Sequence, residues 1–380
     1  MSQQAESATA SDDQYTVRLF EPGDREGYLK LHDATPAYAG GTDEWFRWKF
    51  EENPYVDHVP IVAAVTDDGQ FVGAKGSFVL PIRNGEETCY SFQMADTMVH
   101  PDHRRKGLYS RMTELMKEVY GRREDSISYG FPNEKSLAGS RKHGWRVAKS
   151  LETYLRIQRP SALVGEESSA PVRLAGRFGT PFVRGYLKLR DAAASSSDIS
   201  VERHDGIPAE TFAALYRRNV PDELHARRDE QFYRWRFDNP HWEYTAYTAH
   251  TAGRDGSPEA GLVVGRNALS NGQNETVVTD AVPLAAEGRT EAFSALLDRV
   301  KADFADADFL AATADTLPAS LLGRHGFLSD GAFPLSRLTE WTYLITYPLS
   351  EGPESAWETD ARDLDAADRW HIGYAEQDTN

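Results

Sequence analysis

A strand, a basic turn and an amphipathic helix follow one another between residues 90 and 119. Residues 90–99 are rich in aromatic and apolar side chains, which favours a strand. The turn reads His-Arg-Arg-Lys-Gly over residues 103–107. From Leu108 onward, apolar residues recur at helical spacing and charged residues occupy the opposite face. This order predicts an α/β class of domain with a polar turn at the end of a central strand.

The turn is suited to bind a phosphate group. Backbone N–H groups at a helix start have no intrahelical partner, and the helix dipole adds positive charge there. Gly107 lets the backbone approach a ligand closely. A solvated connection is the alternative, in which the nearby cations pair with Glu114, Glu118 and Glu124. Those cations are Arg104, Arg105, Lys106, Arg111, Lys117, Arg122 and Arg123.

Length and composition exclude several classes of protein. A chain of 380 residues suggests two domains, and 40% hydrophobic residues exclude a disordered chain. The net charge of −17 argues against nucleic-acid or anionic-membrane partners and resembles the surfaces of proteins from salt-rich cytosols. The polar first residues do not read as a secretory signal, and the single Cys89 fits a reducing cytoplasm. No cluster has zinc-site spacing, so we expect no metal.

The chain contains an internal repeat. Three pairs of segments match in the same order: 44–54 with 231–240, 96–99 with 280–283, and 141–145 with 323–327. The sequence therefore predicts a duplicated domain. The Trp- and Phe-rich pair is more typical of core packing than of a cofactor site. At the position of the basic turn the second copy reads Ala-Ala-Glu-Gly-Arg-Thr over residues 285–290, and Glu287 would repel a phosphate.

The predicted domain boundaries follow from this repeat and from composition. We expect a first domain over residues 15–156 and a degenerate second copy over 199–349. Residues 157–198 are linker-like, with a short helix near Phe182 to Leu189. A disordered segment at 1–14 and an acidic tail at 350–380, in which Trp357 and Trp370 can dock locally, complete the chain.

Strand, basic turn and helix together resemble the acetyl-CoA site of the GNAT N-acetyltransferase family. Arg104 and Gly107 match the family pattern Arg/Gln-x-x-Gly-x-Gly/Ala, whereas Tyr109 stands where Gly or Ala is usual. Asn133, followed by a helix that ends near Gly144, resembles the family's later pantetheine-contacting segment. The capping preferences of these residues also fit an ordinary surface helix. The resemblance covers residues 15–156 well and 199–349 weakly.

The resemblance implies two tandem GNAT-like domains, each a mixed, mostly antiparallel twisted sheet flanked by helices. It implies acetyl-CoA as co-substrate, with Met98, Val99 and His100 pairing with the pantetheine arm and Asn133 contacting it. The pyrophosphate would be held by the turn residues Arg104, Arg105, Lys106, Gly107, Leu108, Tyr109 and Ser110.

The implied reaction is direct attack of an amine on the thioester in a ternary complex. Ser140 stands where many family members carry a tyrosine acid, and Tyr154 and Tyr129 are substitutes by proximity in sequence. Asp96 is the best candidate base, ahead of Glu44 and His143, although it can equally be a hydrogen-bonded polar residue of the core. The acceptor is a small-molecule or peptide amine, and the oligomeric state is open. A non-catalytic acyl-CoA sensor is the alternative function, and the net charge disfavours a tRNA-dependent aminoacyl transferase.

Overall fold

The fold is described from a computed structural model. The structure describes residues 10–12, 14–35, 40–123, 126–159, 185–187, 199–251, 256–268, 274–284, 288–333, 335–337, 339–350 and 364–378. These residues divide into two compact units. The first lies within Met1–Ser150 and Thr342–Trp370, and the second lies within Leu151–Trp341 and His371–Asn380. No helix among the described residues is long and apolar enough to cross a membrane.

The first unit is built on a mixed sheet. Its strands lie in the order β1-β2-β3-β4-β5-β6-β16-β7. The pairs that join β1 to β5, and the pair of β6 with β16, are antiparallel, whereas β5 and β6 are parallel. The strands are β1 (Ala10–Asp12), β2 (Tyr15–Leu19), β3 (Ile61–Thr66), β4 (Phe71–Asn84), β5 (Glu87–Val99), β6 (Ser126–Gly130), β7 (Arg146–Leu151) and β16 (Thr342–Pro348).

Helices of the first unit pack on this sheet and begin where the sequence supplies caps. The helices are α1 (Arg25–Asp33), α2 (Asp43–Phe46), a π-helical turn (Arg47–Glu51), α3 (Leu108–Gly121) and α4 (Glu134–Lys142). Thr42 caps α2, and Asn133 caps α4 by accepting from the amides of Lys135 and Ser136. The apolar face of α3 buries Met112 and Met116 against the strands, as its periodicity predicts.

The second unit has its own mixed sheet, in the order β15-β8-β14-β13-β12-β11-β9. Here β13 and β14 are the parallel pair. The strands of this sheet are β8 (Thr153–Ile157), β9 (Ile199–His204), β11 (Glu243–Thr251), β12 (Ala260–Ala268), β13 (Asn274–Val282), β14 (Phe309–Thr313) and β15 (Leu328–Ser329). A two-residue strand, β10 (His225–Ala226), belongs to the same unit but not to this sheet. Its helices are α5 (Ala209–Arg217), α6 (Glu230–Arg236), α7 (Thr290–Asp303) and α8 (Ala319–Arg324).

The two sheets share one strand order when each is followed from β2 or from β9. In both, an antiparallel series leads to a parallel pair, and a strand distant in sequence follows: β16 beside β6, and β8 beside β14. The helices that follow β5 and β13, α3 and α7, both have 14 residues. The predicted fold class, mixed sheets flanked by helices, is confirmed. The internal repeat therefore corresponds to a repeated topology.

The structural units differ from the predicted boundaries at their edges. Residues 151–156 belong to the second unit because β8 pairs with β14 and β15. Residues 342–370 belong to the first because β16 pairs with β6. The predicted acidic tail contributes Trp370, which is buried, whereas Trp357 lies outside the described residues. Residues 185–187 of the predicted linker helix are helical, and most of the linker and of the 1–14 segment also lie outside the described residues.

Candidate functional site

The basic turn is exposed, and its backbone amides have no acceptor within the protein. After a 3₁₀ turn at Pro101–His103, Arg105 and Gly107 adopt left-handed backbone angles, with φ of 63° and 75°. No side chain caps the start of α3 at Leu108. Within the part of the chain that the structure describes, no protein acceptor bonds the amides of residues 105–110. Because α3 is long and its dipole is positive at this end, these amides are a candidate site for an anion.

The cations of the turn differ from those farther along α3 in whether a carboxylate lies beside them. Arg122 lies 2.6 Å from Glu118, and Lys117 lies 3.9 Å from Glu114. No carboxylate of the described residues lies within salt-bridge distance of residues 104–106. Pairing along the helix surface therefore describes the helix cations but not the turn cations, which remain available for an anionic ligand.

A cleft opens where β5 and β6 part. They pair in parallel from Tyr90 and Ser126 to Gln93 and Tyr129, but β5 continues to Val99 without β6. In the diverging part, the register between β4 and β5 shifts at a bulge, and Asp96 takes a φ of 42° there. A bulge bends a strand away from its neighbour, and a ligand can then lie between the two strands.

Of the predicted pantetheine-pairing residues, His100 already uses both of its main-chain groups. Its N–H donates to the Val72 carbonyl at 2.9 Å, and its own carbonyl accepts from the His103 amide at 2.9 Å. The Val99 carbonyl accepts from the Arg104 guanidinium at 3.2 Å. In the antiparallel ladder the bonded pairs alternate, so Met98, two residues before His100 and opposite Ala74, also directs its main-chain groups to β4. Pairing with an extended ligand therefore depends mainly on the Val99 amide, a prediction that awaits a ligand complex.

A cavity of about 440 Å³ lies in this cleft. Buried Lys75, Ala95 and Asp96 contrast with the exposed rim residues Lys135 and Ser136. The cavity therefore runs from an exposed rim to a buried floor. Its lining residues are Lys75, Met94, Ala95, Asp96, Thr97, Tyr109, Phe131, Pro132, Lys135, Ser136, Gly139 and Ser140.

Tyr109 connects the turn to the cavity. Its side chain lies in the cavity wall, and its ring packs edge-on against His143 at 5.4 Å. Burial raises the pKa of the Tyr109 hydroxyl, and a hydrogen bond to Ser140 opposes part of that rise. Tyr109 thus brings a phenol to the predicted acid position, where Ser140 alone is a poor acid. The side chain that departs from the family pattern therefore projects into the cavity.

Asp96 forms a buried ion pair. Its Oδ2 lies 2.6 Å from Nζ of Lys49 and accepts from the Tyr28 hydroxyl at 3.1 Å. The Lys49 and Asp96 side chains are both fully buried. These contacts agree with the alternative that Asp96 is a hydrogen-bonded polar residue of the core. Lys49 belongs to the aromatic repeat, and its charge among apolar residues was the available signal for a buried partner.

Two other predicted residues lie off the cavity wall. The Asn133 side chain is engaged as the cap of α4, beside the rim. Tyr154 lies in β8 of the second sheet, opposite Ala312 and Ser329. Proximity in sequence to the first sheet does not place Tyr154 with it, because the chain leaves that sheet after β7.

A serine, a histidine and a carboxylate form a chain at the start of α3. Ser110 Oγ lies 3.2 Å from His143 Nε2, and His143 Nδ1 lies 3.1 Å from Glu114. The second unit repeats it with Ser294, His325 and Asp298, at 2.9 Å and 3.4 Å. Its occurrence in both units supports a structural connection between each long helix and the segment after the next helix. His143, a predicted alternative base, is engaged in this connection.

The equivalent cleft of the second unit contains the C-terminal segment. The Ile372 amide donates to Asp315 at 2.7 Å, and its carbonyl accepts from Thr313, the last residue of β14. Buried Arg228 bonds both Glu376 at 2.6 Å and Asp280 of β13 at 2.9 Å. The chain itself thus fills the space between the ends of β13 and β14.

Comparisons with known proteins agree with the family resemblance of the sequence. Residues 16–148, about a third of the chain, match the family model of the Acetyltransferase (GNAT) domain. This part of the chain is therefore similar to GNAT domains. The predicted resemblance is thus confirmed for most of the first unit. No curated protein matches the sequence significantly. Among the described residues, no group of His, Cys, Asp or Glu could hold a metal ion.

Solved structures share the fold over most of the chain. A probable N-acyltransferase from Enterococcus faecalis matches with a TM-score of 0.59 and 11% identity, over 87% of this chain and 71% of its own. N-myristoyltransferase from Saccharomyces cerevisiae, with bound myristoyl-CoA, matches with a TM-score of 0.57 and 10% identity, over 93% of this chain and 86% of its own. A GCN5-related N-acetyltransferase from Anabaena variabilis matches with a TM-score of 0.55 and 12% identity, over 88% of this chain and 73% of its own. At these identities the likeness concerns the fold.

Proposed function

We propose that this protein is an acyltransferase that transfers an acetyl group from acetyl-CoA to a primary amine in a ternary complex. The observation that carries the proposal is the row of backbone amides at residues 105–110, which lack an acceptor among the described residues and lead through Tyr109 into the cavity between β5 and β6. The amides suit the pyrophosphate, and the cleft suits the extended pantetheine arm. The thioester would then reach the buried end of the cavity.

Within this proposal, side chains of the cavity hold and position the reacting groups. Tyr109, hydrogen-bonded to Ser140, supplies a hydroxyl that can protonate the departing thiolate. Orientation within the cavity contributes much of the rate, because positioning alone removes a large entropic barrier. The amine loses its proton to water or to a group on the acceptor, since Asp96 is paired with Lys49.

We further propose that the second unit is a degenerate GNAT copy that does not bind the co-substrate. The support is its filled cleft, where Ile372 and Glu376 lie. The expected stoichiometry is therefore one acetyl-CoA per chain.

We expect calorimetry to detect acetyl-CoA binding at this stoichiometry, and thiol release to follow when an accepted amine is added. The released thiol can be measured with a chromogenic disulfide, because Cys89 is the only cysteine and is buried. Acetyl-CoA should be tested beside myristoyl-CoA, since a fold relative holds the longer acyl group. Absence of binding by either acyl-CoA would refute the proposed function.

Binding without thiol release over a broad amine panel would favour the alternative, an acyl-CoA sensor. The engagement of Asp96 with Lys49 and Tyr28 favours that alternative, because it leaves this carboxylate no free role as a base. The panel should include polyamines, aminoglycosides, amino sugars and peptide N-termini, so that both cationic and neutral acceptors are represented.

A further inference from the structure

Lys75 is a buried lysine in the wall of the candidate acyl-CoA cavity. It lies in β4 and is 1% exposed. Its Nζ lies 3.6 Å from Met94 Sδ, and the ring centroids of Tyr109 and Trp145 are 5.1 Å and 5.9 Å away. Within the described residues, no oxygen atom accepts a hydrogen bond from this ammonium, and no carboxylate lies within 4 Å. A thioether and two aromatic faces are its close polar or polarisable neighbours.

The contrast with Lys49 shows what Lys75 lacks. Both lysines are buried in the same unit, but Lys49 has the Asp96 carboxylate at 2.6 Å. Burial of an ammonium is costly unless a partner compensates for lost hydration. A lysine in a cavity wall with no carboxylate beside it is therefore suited to a ligand that brings its own acceptor oxygen.

The surroundings of Lys75 contain further groups that can carry charge. Lys117 of α3 opposes its positive charge. On the rim, α4 contributes the cation Lys135, and Asp96 on β5 is already paired with Lys49. The charged or titratable groups that face the cavity or Lys75 are Tyr109 and Lys117 from α3, Lys135 from α4 and Asp96 from β5. This balance of charges favours, beside Lys75, a ligand group that accepts a hydrogen bond and is not cationic.

We propose that Lys75 recognises the acyl group, by donating a hydrogen bond from its ammonium to the carbonyl oxygen of the bound thioester. This inference rests on the proposed function, because it needs an acyl-CoA in the cavity. A cation at that oxygen also stabilises the negative charge that develops there as the amine attacks. Free CoA lacks the carbonyl, so the contact distinguishes the acylated co-substrate from the product.

A change in protonation should accompany this contact. Burial, assisted by Lys117, lowers the pKa of Lys75 to about 7. At pH 8 the amine of the free protein is therefore mostly neutral. An acceptor oxygen at Nζ favours the charged form and raises the pKa, so binding takes up a proton from the buffer. No protein carboxylate is needed for this uptake.

Calorimetry at pH 8, in two buffers with different heats of ionisation, tests the inference. Acetyl-CoA should bind wild-type protein with uptake of more than about half a proton. Free CoA should bind with much less uptake. Lys75→Met should bind acetyl-CoA more weakly and without the uptake. Lys135→Met, which removes a rim lysine of the same cavity, should retain the proton uptake.

The outcomes separate this inference from the proposed function. Binding of acetyl-CoA by wild type without proton uptake, or equal uptake with free CoA, would overturn the role of Lys75 and leave the function standing. Absence of acetyl-CoA binding would overturn both. Lys75→Arg is a second variant if Lys75→Met misfolds: its guanidinium stays charged, so binding without uptake supports the inference and undiminished uptake contradicts it.

Discussion

Replacing Gly107 with glutamate should weaken acetyl-CoA binding by at least about 100-fold. Gly107 precedes α3 in the middle of the unbonded amides, and no atom beyond its chain neighbours lies within 4 Å of the position that a Cβ would take there. The new side chain therefore fits sterically, but it places a carboxylate beside the diphosphate. Like charges about 5 Å apart repel by roughly 3 kcal/mol at an effective dielectric constant of 20, which accounts for the expected loss. Calorimetry measures the change in Kd.

The second unit offers a matched control at Gly288. Its φ of 72° is close to the 75° of Gly107, it is equally unobstructed, and it too lies just before a 14-residue helix. Gly288→Glu should therefore carry a similar conformational cost but leave acetyl-CoA affinity unchanged. Gly107→Ala adds the conformational cost without the charge and should lose less than about 10-fold. Equal losses for Gly107→Glu and Gly288→Glu would contradict a phosphate site confined to the first unit.

Replacing Lys49 with methionine should lower the free energy of unfolding by about 3–5 kcal/mol. The substitution removes the ammonium that lies 2.6 Å from Asp96, while the buried carboxylate keeps its hydrogen bond from the Tyr28 hydroxyl. An uncompensated buried charge is strongly destabilising because it has lost both hydration and Coulombic attraction. Urea denaturation followed by circular dichroism measures the shift, with the transition of each unit fitted separately.

Lys75→Met is the control for this prediction, because it removes an equally buried lysine that has no carboxylate partner among the described residues. Since the folded state depresses the pKa of Lys75 to about 7, removing its charge should leave stability unchanged or raise it near neutral pH. The double variant Lys49→Met/Asp96→Asn should recover much of the loss, since asparagine tolerates the left-handed backbone at this position. A Lys49→Met variant as stable as Lys75→Met would show that the ion pair contributes little.

Local patterns predicted well the strand, turn and helix of the candidate phosphate site. The strand to Val99, the basic turn and the helix from Leu108 depend on residues close in sequence, and their preferences act within a few positions. Asn133 caps α4 for the same local reason. The alternative interpretation of Asp96 as a hydrogen-bonded residue agrees with its contacts. Its partners, Lys49 and Tyr28, come from separate helical segments and could not be paired from spacing.

Strand pairing across long sequence distances could not be read from periodicity. Strands β8 and β16 have the same kind of alternating or apolar pattern as their neighbours, and nothing local specifies which sheet each one joins. The sequence therefore predicts Tyr154 in the first domain, whereas β8 belongs to the second sheet. The filling of the second cleft by Ile372 and Glu376 likewise depends on where the C-terminal segment packs.

The sequence by itself determined the matching pairs of short segments, the basic turn ahead of a long helix and the scarcity of cations at residues 285–290. These features depend on hydrogen-bonding groups and charges that are encoded within single short segments. Only the tertiary structure decided that Tyr109 and Ser140 meet, that Lys75 is buried without an acceptor oxygen among the described residues, and that Asp96 is paired. Burial and pairing depend on which distant segments pack together, because solvent exclusion is a property of the assembled fold.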